Sequence, residues 1–397
     1  MKPRRVSLVR RMTRAVHALD HAVARLGTER HILVEMRTPV YQAVLGPVCE
    51  KLQDMPGVRV SFTSEYPDRI RPLVGADRFL THAQVEWRRF DLYLNADPWA
   101  AARLRRCARR LNFFHGVAGK YDLDRPSGLP MGFESYDRVA FINRDRMQRY
   151  LEAGVVTETQ AALVGYPKLD RLASGRVEGH AVRQALDLPA RPTLLYAPTY
   201  SQASSLHLAG EHIVRGLAEA GFNVIVKLHD RSLDSDPRYT GGIDWRSRML
   251  ALEPQGSIRY VEGPDASPYL AAADLLVTDH SSVGFEYLVL DRPLLVFDAP
   301  GLVDAARINP EKVALLRSAA TVVATVDDLV TAARAELGSP GRLSRERRLV
   351  AGEMFYEPGT ATGRAVDLIQ QLLDGATPAA HAVRASAEPR PIRRGIS

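Results

Sequence analysis

The chain has 397 residues, 46% hydrophobic and 25% charged, a balance that suits two packed α/β domains and excludes a low-complexity chain. No stretch approaches the roughly 20 apolar residues of a membrane span, the basic start lacks the apolar core of a secretory signal, and Cys49 and Cys107 make neither a disulfide framework nor a zinc site. The net charge of +7 sits at the ends: eight Lys/Arg face Asp20 and Glu29 in the first 30 residues, and four Arg face Glu388 from Gly375 onward, leaving a slightly acidic body that disfavours a nucleic-acid groove.

Val9, Met12, Val16, Leu19, Val23 and Leu26 recur at helical spacing, with Arg10, Arg11, Arg14 and Arg25 opposite. The pattern predicts a basic amphipathic helix within residues 1–30. Such a helix suits an anionic membrane surface, or packs on its own domain with its arginines in water.

From His31 short apolar runs alternate with amphipathic stretches. Strands are predicted at His31–Glu35, Val58–Phe62, Asp91–Asn95, Leu111–Phe114 and Val139–Ile142, with helices at Val40–Gln53 and Trp99–Arg110. Further strands are predicted at Thr193–Tyr196, Asn223–Lys227, Ile258–Val261, Leu275–Val277 and Leu294–Phe297. Helices are expected at His212–Ala220, Pro268–Ala273, Val283–Leu290 and Ala365–Leu373. This alternation predicts an α/β fold of two doubly wound domains facing a cleft. The expected division is an N-terminal acceptor-side domain at 31–170, a nucleotide-binding domain at 171–374 and a disordered tail at 375–397, with the junction near Gly165-Tyr166-Pro167-Lys168-Leu169-Asp170.

Chemistry is expected where strands end. Asp279-His280-Ser281-Ser282 follows an apolar strand and opens a helix that carries Glu286. Hydroxyls and free N–H groups there suit a phosphate, and Glu286 suits sugar hydroxyls; the alternative is a plain N-cap. Phe114-His115-Gly116 ends another strand, with Lys120 five residues on: a base for an alcohol and a cation for phosphate, or a capped turn beside a solvated lysine. Lys227 and His229 repeat the logic in the second half, the alternative being a His229–Asp230 hydrogen bond. Thr199 follows a strand stopped by Pro198, and Arg364 opens the last helix as an anion ligand or an anchor. No Walker loop, dinucleotide fingerprint, nucleophile elbow or spaced metal-ligand cluster is present, so no cofactor and no metal are expected.

In combination these segments resemble the CDP-glycerol glycerophosphotransferase family of teichoic-acid and capsule polymer synthesis. The resemblance rests on six motifs in order: His115-Gly116 to Lys120, Gly165 to Asp170, Tyr196 to Thr199, the strand-end His229, Thr278 to Ser282, and Gly359 to Arg364. It covers about His31 to Leu373 and implies the two-domain GT-B fold. It also implies transfer of glycerol phosphate from a CDP-linked donor to a hydroxyl of a lipid-linked or polymer acceptor, with release of CMP. By the same resemblance His115 is the base and His229 assists the departing phosphate. Lys120, Thr199, Lys227, Asp279, Ser281, Ser282 and Arg364 attend the nucleotide and phosphates, and Glu286 binds ribose. The expected location is cytoplasmic, peripheral on the inner face of the cell membrane, and the length is closer to the single-module primases.

Three departures bear on the donor and acceptor. Val117-Ala118-Gly119 fills the middle of the His-Gly motif, Ser201 replaces an arginine expected soon after Pro198-Thr199, and Asp230 replaces a proline after His229. The alternatives are a GT-B glycosyltransferase using a nucleotide sugar and a non-hydrolysing UDP-sugar 2-epimerase.

Overall fold

The computed structural model describes residues 29–97, 107–126, 132–234 and 236–375. The helix predicted before residue 29 and the tail predicted beyond residue 375 lie outside the described residues.

Two six-stranded parallel sheets organise the chain. The first runs β2-β1-β3-β4-β5-β6, with β1 Arg30–Glu35, β2 Val58–Thr63, β3 Phe90–Asn95, β4 Cys107–Phe113, β5 Arg138–Phe141 and β6 Ala161–Leu163. The second runs β12-β11-β10-β7-β8-β9, with β7 Thr193–Tyr196, β8 Asn223–Lys227, β9 Ile258–Val261, β10 Leu275–Thr278, β11 Leu294–Phe297 and β12 Thr321–Val323. The chain winds outward from β7 in one direction and from β10 in the other. The crevice beyond their carboxyl ends is therefore the switch point, where open α/β sheets take ligands. Strands β3, β7, β10 and β11 are buried along their whole length, as expected for parallel strands covered on both faces. The two-domain α/β architecture expected from the alternation is what the chain adopts.

The helix predicted at Trp99–Arg110 is overturned over its last four residues, while 99–106 lie outside the described residues. Residues 107–110, assigned above to a helix, begin β4, and Arg109 and Arg110 lie opposite Leu92 and Tyr93 of β3. The arginines hide an edge of alternation there, and pairing with β3 overrides the local helical preference.

The halves are stitched together around the hinge. The last helix, Ala361–Leu373, buries Ala361, Ala365, Leu368, Ile369 and Leu372 on one face and packs on the helix Val40–Gln53, so the chain crosses back to the first sheet. Asp170 caps that helix, its Oδ1 accepting from the Gly359 and Ala361 N–H groups at 2.9 and 3.1 Å. Gly165 has φ +90°, and a Cβ there would stand 2.5 Å from the Tyr356 carbonyl oxygen, so the hinge requires glycine. Among the described residues no helix is long and apolar enough to cross a membrane.

Candidate active site

The loop after β4 leaves the first sheet and docks on the turns after β7 and β10. Gly119 makes the approach possible: its φ is +65°, and a Cβ would meet Asp124 Oδ2 at 2.7 Å. Its carbonyl accepts from the Asn309 N–H at 2.9 Å, which ties the loop to the second half. Lys120 Nζ then donates to Thr199 Oγ1 at 2.9 Å, and the Tyr121 and Tyr200 hydroxyls touch. The Val117 N–H reaches Ser282 Oγ at 3.4 Å, and His280 Nε2 lies 2.9 Å from the Ala118 carbonyl oxygen. His280, absent from the candidates above, thus fixes the loop; its place between Asp279 and Ser281 was the available signal.

His115 is half-buried against the Tyr41 ring, centroid to centroid 4.7 Å. Its Nδ1 contacts the Ala96 carbonyl oxygen. A carbonyl only accepts, so Nδ1 carries the proton and Nε2 keeps a free lone pair. Burial holds the imidazole below its ordinary value, so it stays neutral near physiological pH. Acids that spacing did not single out stand near this wall: Arg37 bridges Asp97 at 3.0 Å and Glu65 at 2.9 Å.

His229 stands on the other wall, after β8, 4.6 Å from the Tyr200 ring centroid. Its Nδ1 is 2.5 Å from Asp230 Oδ1, so the local pairing considered above is present. The Arg231 N–H also points to Nδ1, at 3.1 Å, so Asp230 and that N–H together hold this nitrogen and Nε2 is left for chemistry. Burial opposes ionisation of Asp230, yet the hydrogen bond from His229 holds its carboxyl down at about 2.

Lys120 is half-buried, and desolvation lowers its ammonium to about 8 against the opposing pull of Asp279. Lys227 is likewise lowered by burial, with Asp230 opposing, and donates to the Leu228 carbonyl at 2.9 Å. Ser281 holds the N-cap position of the helix Ser282–Tyr287 without a side-chain cap bond, so its hydroxyl remains available to a ligand. Glu286 is buried and paired with Lys168 at 2.7 Å. Burial alone lowers the Lys168 ammonium, but Glu286 reverses the sign and raises it.

Two candidates are placed otherwise than the resemblance implies. Asp279 is buried, and its oxygens accept from Thr199 N, Ser205 N and Ser205 Oγ at 2.9–3.0 Å, so it shapes the turn rather than meeting phosphate. Arg364 is consumed by Glu357, Thr360 and the carbonyls of Val164, Tyr356 and Glu357, and stacks on Tyr356 at 4.7 Å. These contacts are those of an anchor at the start of the last helix.

The loop after β4 and the turns after β7, β8 and β10 thus bring imidazoles, cations, hydroxyls and a helix start into one neighbourhood. Its sequence and shape match known proteins. Residues 133–301 match the family described as CDP-Glycerol:Poly(glycerophosphate) glycerophosphotransferase. The teichoic acid glycerol-phosphate primase of Bacillus subtilis (strain 168) is 26% identical over 174 residues, which are 42% of this chain and 40% of that protein. The corresponding primase of Bacillus spizizenii is 25% identical over 172 residues, 42% of this chain and 41% of that protein. The matches therefore span less than half of these relatives' length. The wall teichoic acid polymerase TagF superposes with a TM-score of 0.67 at 15% identity, covering 93% of this chain and 98% of that one. A UDP-GlcNAc 2-epimerase from Neisseria meningitidis bound to UDP-GlcNAc gives 0.55 at 12% identity, covering 86% and 100%. These likenesses establish the shared fold. Over residues 133–301, the CDP-glycerol glycerophosphotransferase resemblance read from the motifs is borne out by the family match.

Proposed function

We propose that this chain is an enzyme that moves glycerol phosphate, or a related polyol phosphate, from a CDP-linked donor to a hydroxyl of a membrane-linked acceptor. CMP is released, and the product extends or primes a teichoic-acid-like envelope polymer. The carrying observation is the docking of the 115–121 loop on the turns after β7 and β10, through Lys120–Thr199 and Val117–Ser282. That docking gathers His115, Lys120, Thr199 and Ser282 at one switch-point crevice, with His229 after the neighbouring strand. The family match and a TagF structure soaked with CDPG support the choice of donor.

The reaction is a displacement at phosphorus. The acceptor oxygen bonds to the phosphorus that bears glycerol, and the bond from that phosphorus to the bridging oxygen breaks, so CMP departs with that oxygen. The acceptor proton passes to His115 Nε2, whose lone pair is free because Nδ1 is committed to Ala96. His229, held at Nδ1 beside Asp230, gives a proton or hydrogen bond from Nε2 to the departing phosphate when both ring nitrogens carry a proton, the Asp230 carboxylate balancing that charge. Lys120, Lys227, Thr199, Ser281 and Ser282 neutralise and orient the diphosphate, and the start of the helix Ser282–Tyr287 adds its N–H groups. Glu286, aimed by Lys168, takes the ribose hydroxyls. The basic segment before residue 29 holds the enzyme peripherally on the inner face of the membrane.

A thermal-shift comparison of CDP, UDP, GDP and ADP tests the reading. Stabilisation by CDP above the others is expected. Stabilisation by UDP instead overturns the donor and favours a nucleotide-sugar transferase or 2-epimerase.

A further inference from the structure

Arg231, two residues beyond His229, was not among the sequence candidates, and its surroundings differ from those of the other cleft arginines. Its guanidinium carbon lies 5.1 Å from the ring centroids of both Tyr200 and Tyr239. Among the described residues its side chain has one hydrogen-bond acceptor, the Tyr200 hydroxyl at 3.3 Å from Nη1. No carboxylate among the described residues forms an ion pair with its guanidinium: Asp230 bonds His229 and the Arg231 main-chain N–H, and Asp234 pairs with Arg69 at 3.3 Å. Arg37 and Arg364, by contrast, each hold a carboxylate. An arginine offers five N–H donors in a planar fork matched to phosphate. Two aromatic faces fix that fork without neutralising it.

Its position joins the walls. The Tyr200 ring that holds Arg231 also contacts the His229 ring and lies 5.9 Å below Lys120 Nζ. The charge of Arg231 also reaches across to the first wall, where it lowers the His115 imidazole after burial and the closer groups. The guanidinium thus shares the Tyr200 ring with one histidine and is within electrostatic reach of the other.

We infer that Arg231, held between Tyr200 and Tyr239, grips the distal phosphoryl group of a nucleoside-diphosphate-linked donor, the group on which the two histidines act. The inference rests on the phosphotransfer reading above. It adds a residue that binds the reacting group and assigns the tyrosine pair a positioning role. It also gives the cleft a phosphate ligand on the His229 side, separate from Lys120 and the serines.

The test separates phosphates. Binding of CDP, CMP and inorganic pyrophosphate is measured by calorimetry for the wild-type chain, Arg231→Gln and Arg231→Lys. The distal phosphate should lose on the order of 10- to 100-fold of its affinity increment in Arg231→Gln, with CMP binding unchanged. Arg231→Lys should recover part of the increment but leave kcat depressed, because a point charge lacks the fork. An unchanged CDP-over-CMP increment in either variant overturns the inference, and if Arg231→Gln does not fold, Arg231→Lys decides it through kcat. A wild-type chain that prefers UDP overturns the cytidine reading alone, and the UDP-over-UMP increment then tests Arg231 in the same way.

Discussion

Lys120 Nζ and Thr199 Oγ1 meet at 2.9 Å, joining the loop after β4 of the first sheet to the turn after β7 of the second. Thr199 Oγ1 donates onward to the His280 carbonyl at 2.9 Å, so its lone pairs stay with the lysine. The contact places a cation of lowered basicity at the switch-point crevice.

That lowered basicity predicts proton uptake. Burial brings the Lys120 ammonium from 10.5 to about 8, so between those values the unfolded chain binds more protons. The group's contribution to stability is therefore present above 10.5 and is lost as pH falls through about 8. A bound phosphate favours the charged form instead. CDP binding near about pH 8.5 should then take up a proton, seen as a dependence of binding heat on buffer ionisation enthalpy. Lys120→Met should remove the uptake, and equal uptake in the variant contradicts this role.

The Lys168–Glu286 pair predicts an asymmetric response. Both side chains are buried, and their oxygen and nitrogen lie 2.7 Å apart. Lys168→Met strands a buried carboxylate and should cost about 3–5 kcal/mol in denaturant unfolding. The double variant Lys168→Met, Glu286→Leu should recover much of that stability while losing CDP affinity. Loss of stability without loss of affinity would make the pair purely structural.

Gly165 supplies a test of the hinge. Gly165→Ala imposes a positive φ on alanine and a contact of 2.5 Å with backbone, so it should cost at least about 1–3 kcal/mol. A melting temperature within the error of wild type would mean that the crossing-back helix moves away from the hinge more freely than its hydrogen bonds suggest.

The basic N-terminal segment predicts salt-sensitive membrane contact. Removing residues 2–28 should release the protein from vesicles containing anionic lipid, with CDP binding retained. Cosedimentation of the shortened chain at the wild-type level would assign that segment another task.

Much of this was legible because parallel strands buried on both faces print as apolar runs. Strands β7, β8, β9 and β11 begin and end where the runs do. His115, Thr199, His229 and Ser282 were legible because each follows such a run. The edge strands β6 and β12 were not, since three residues leave no run to read. The first four residues of β4 were hidden by Arg109, whose guanidinium pairs with Asp137, and by Arg110, whose main-chain N–H donates to the same carboxylate. Arg231 was not singled out, and Lys168 was read only as part of the hinge motif, for a different reason. Their meaning lies in partners from distant segments, the tyrosine faces and Glu286, which spacing along the chain does not reveal.

In the proposed reaction both imidazoles act on one diphosphate ester. CMP release from CDP-glycerol, followed with a lipid-linked acceptor for the wild-type chain, His115→Ala and His229→Ala, tests it most directly. Wild type should release one CMP per glycerol phosphate transferred, and each variant should lose roughly 10²-fold or more in kcat while still binding CDP. Undiminished CMP release by either variant, or release of cytidine nucleotide without transfer by the wild type, would contradict the account.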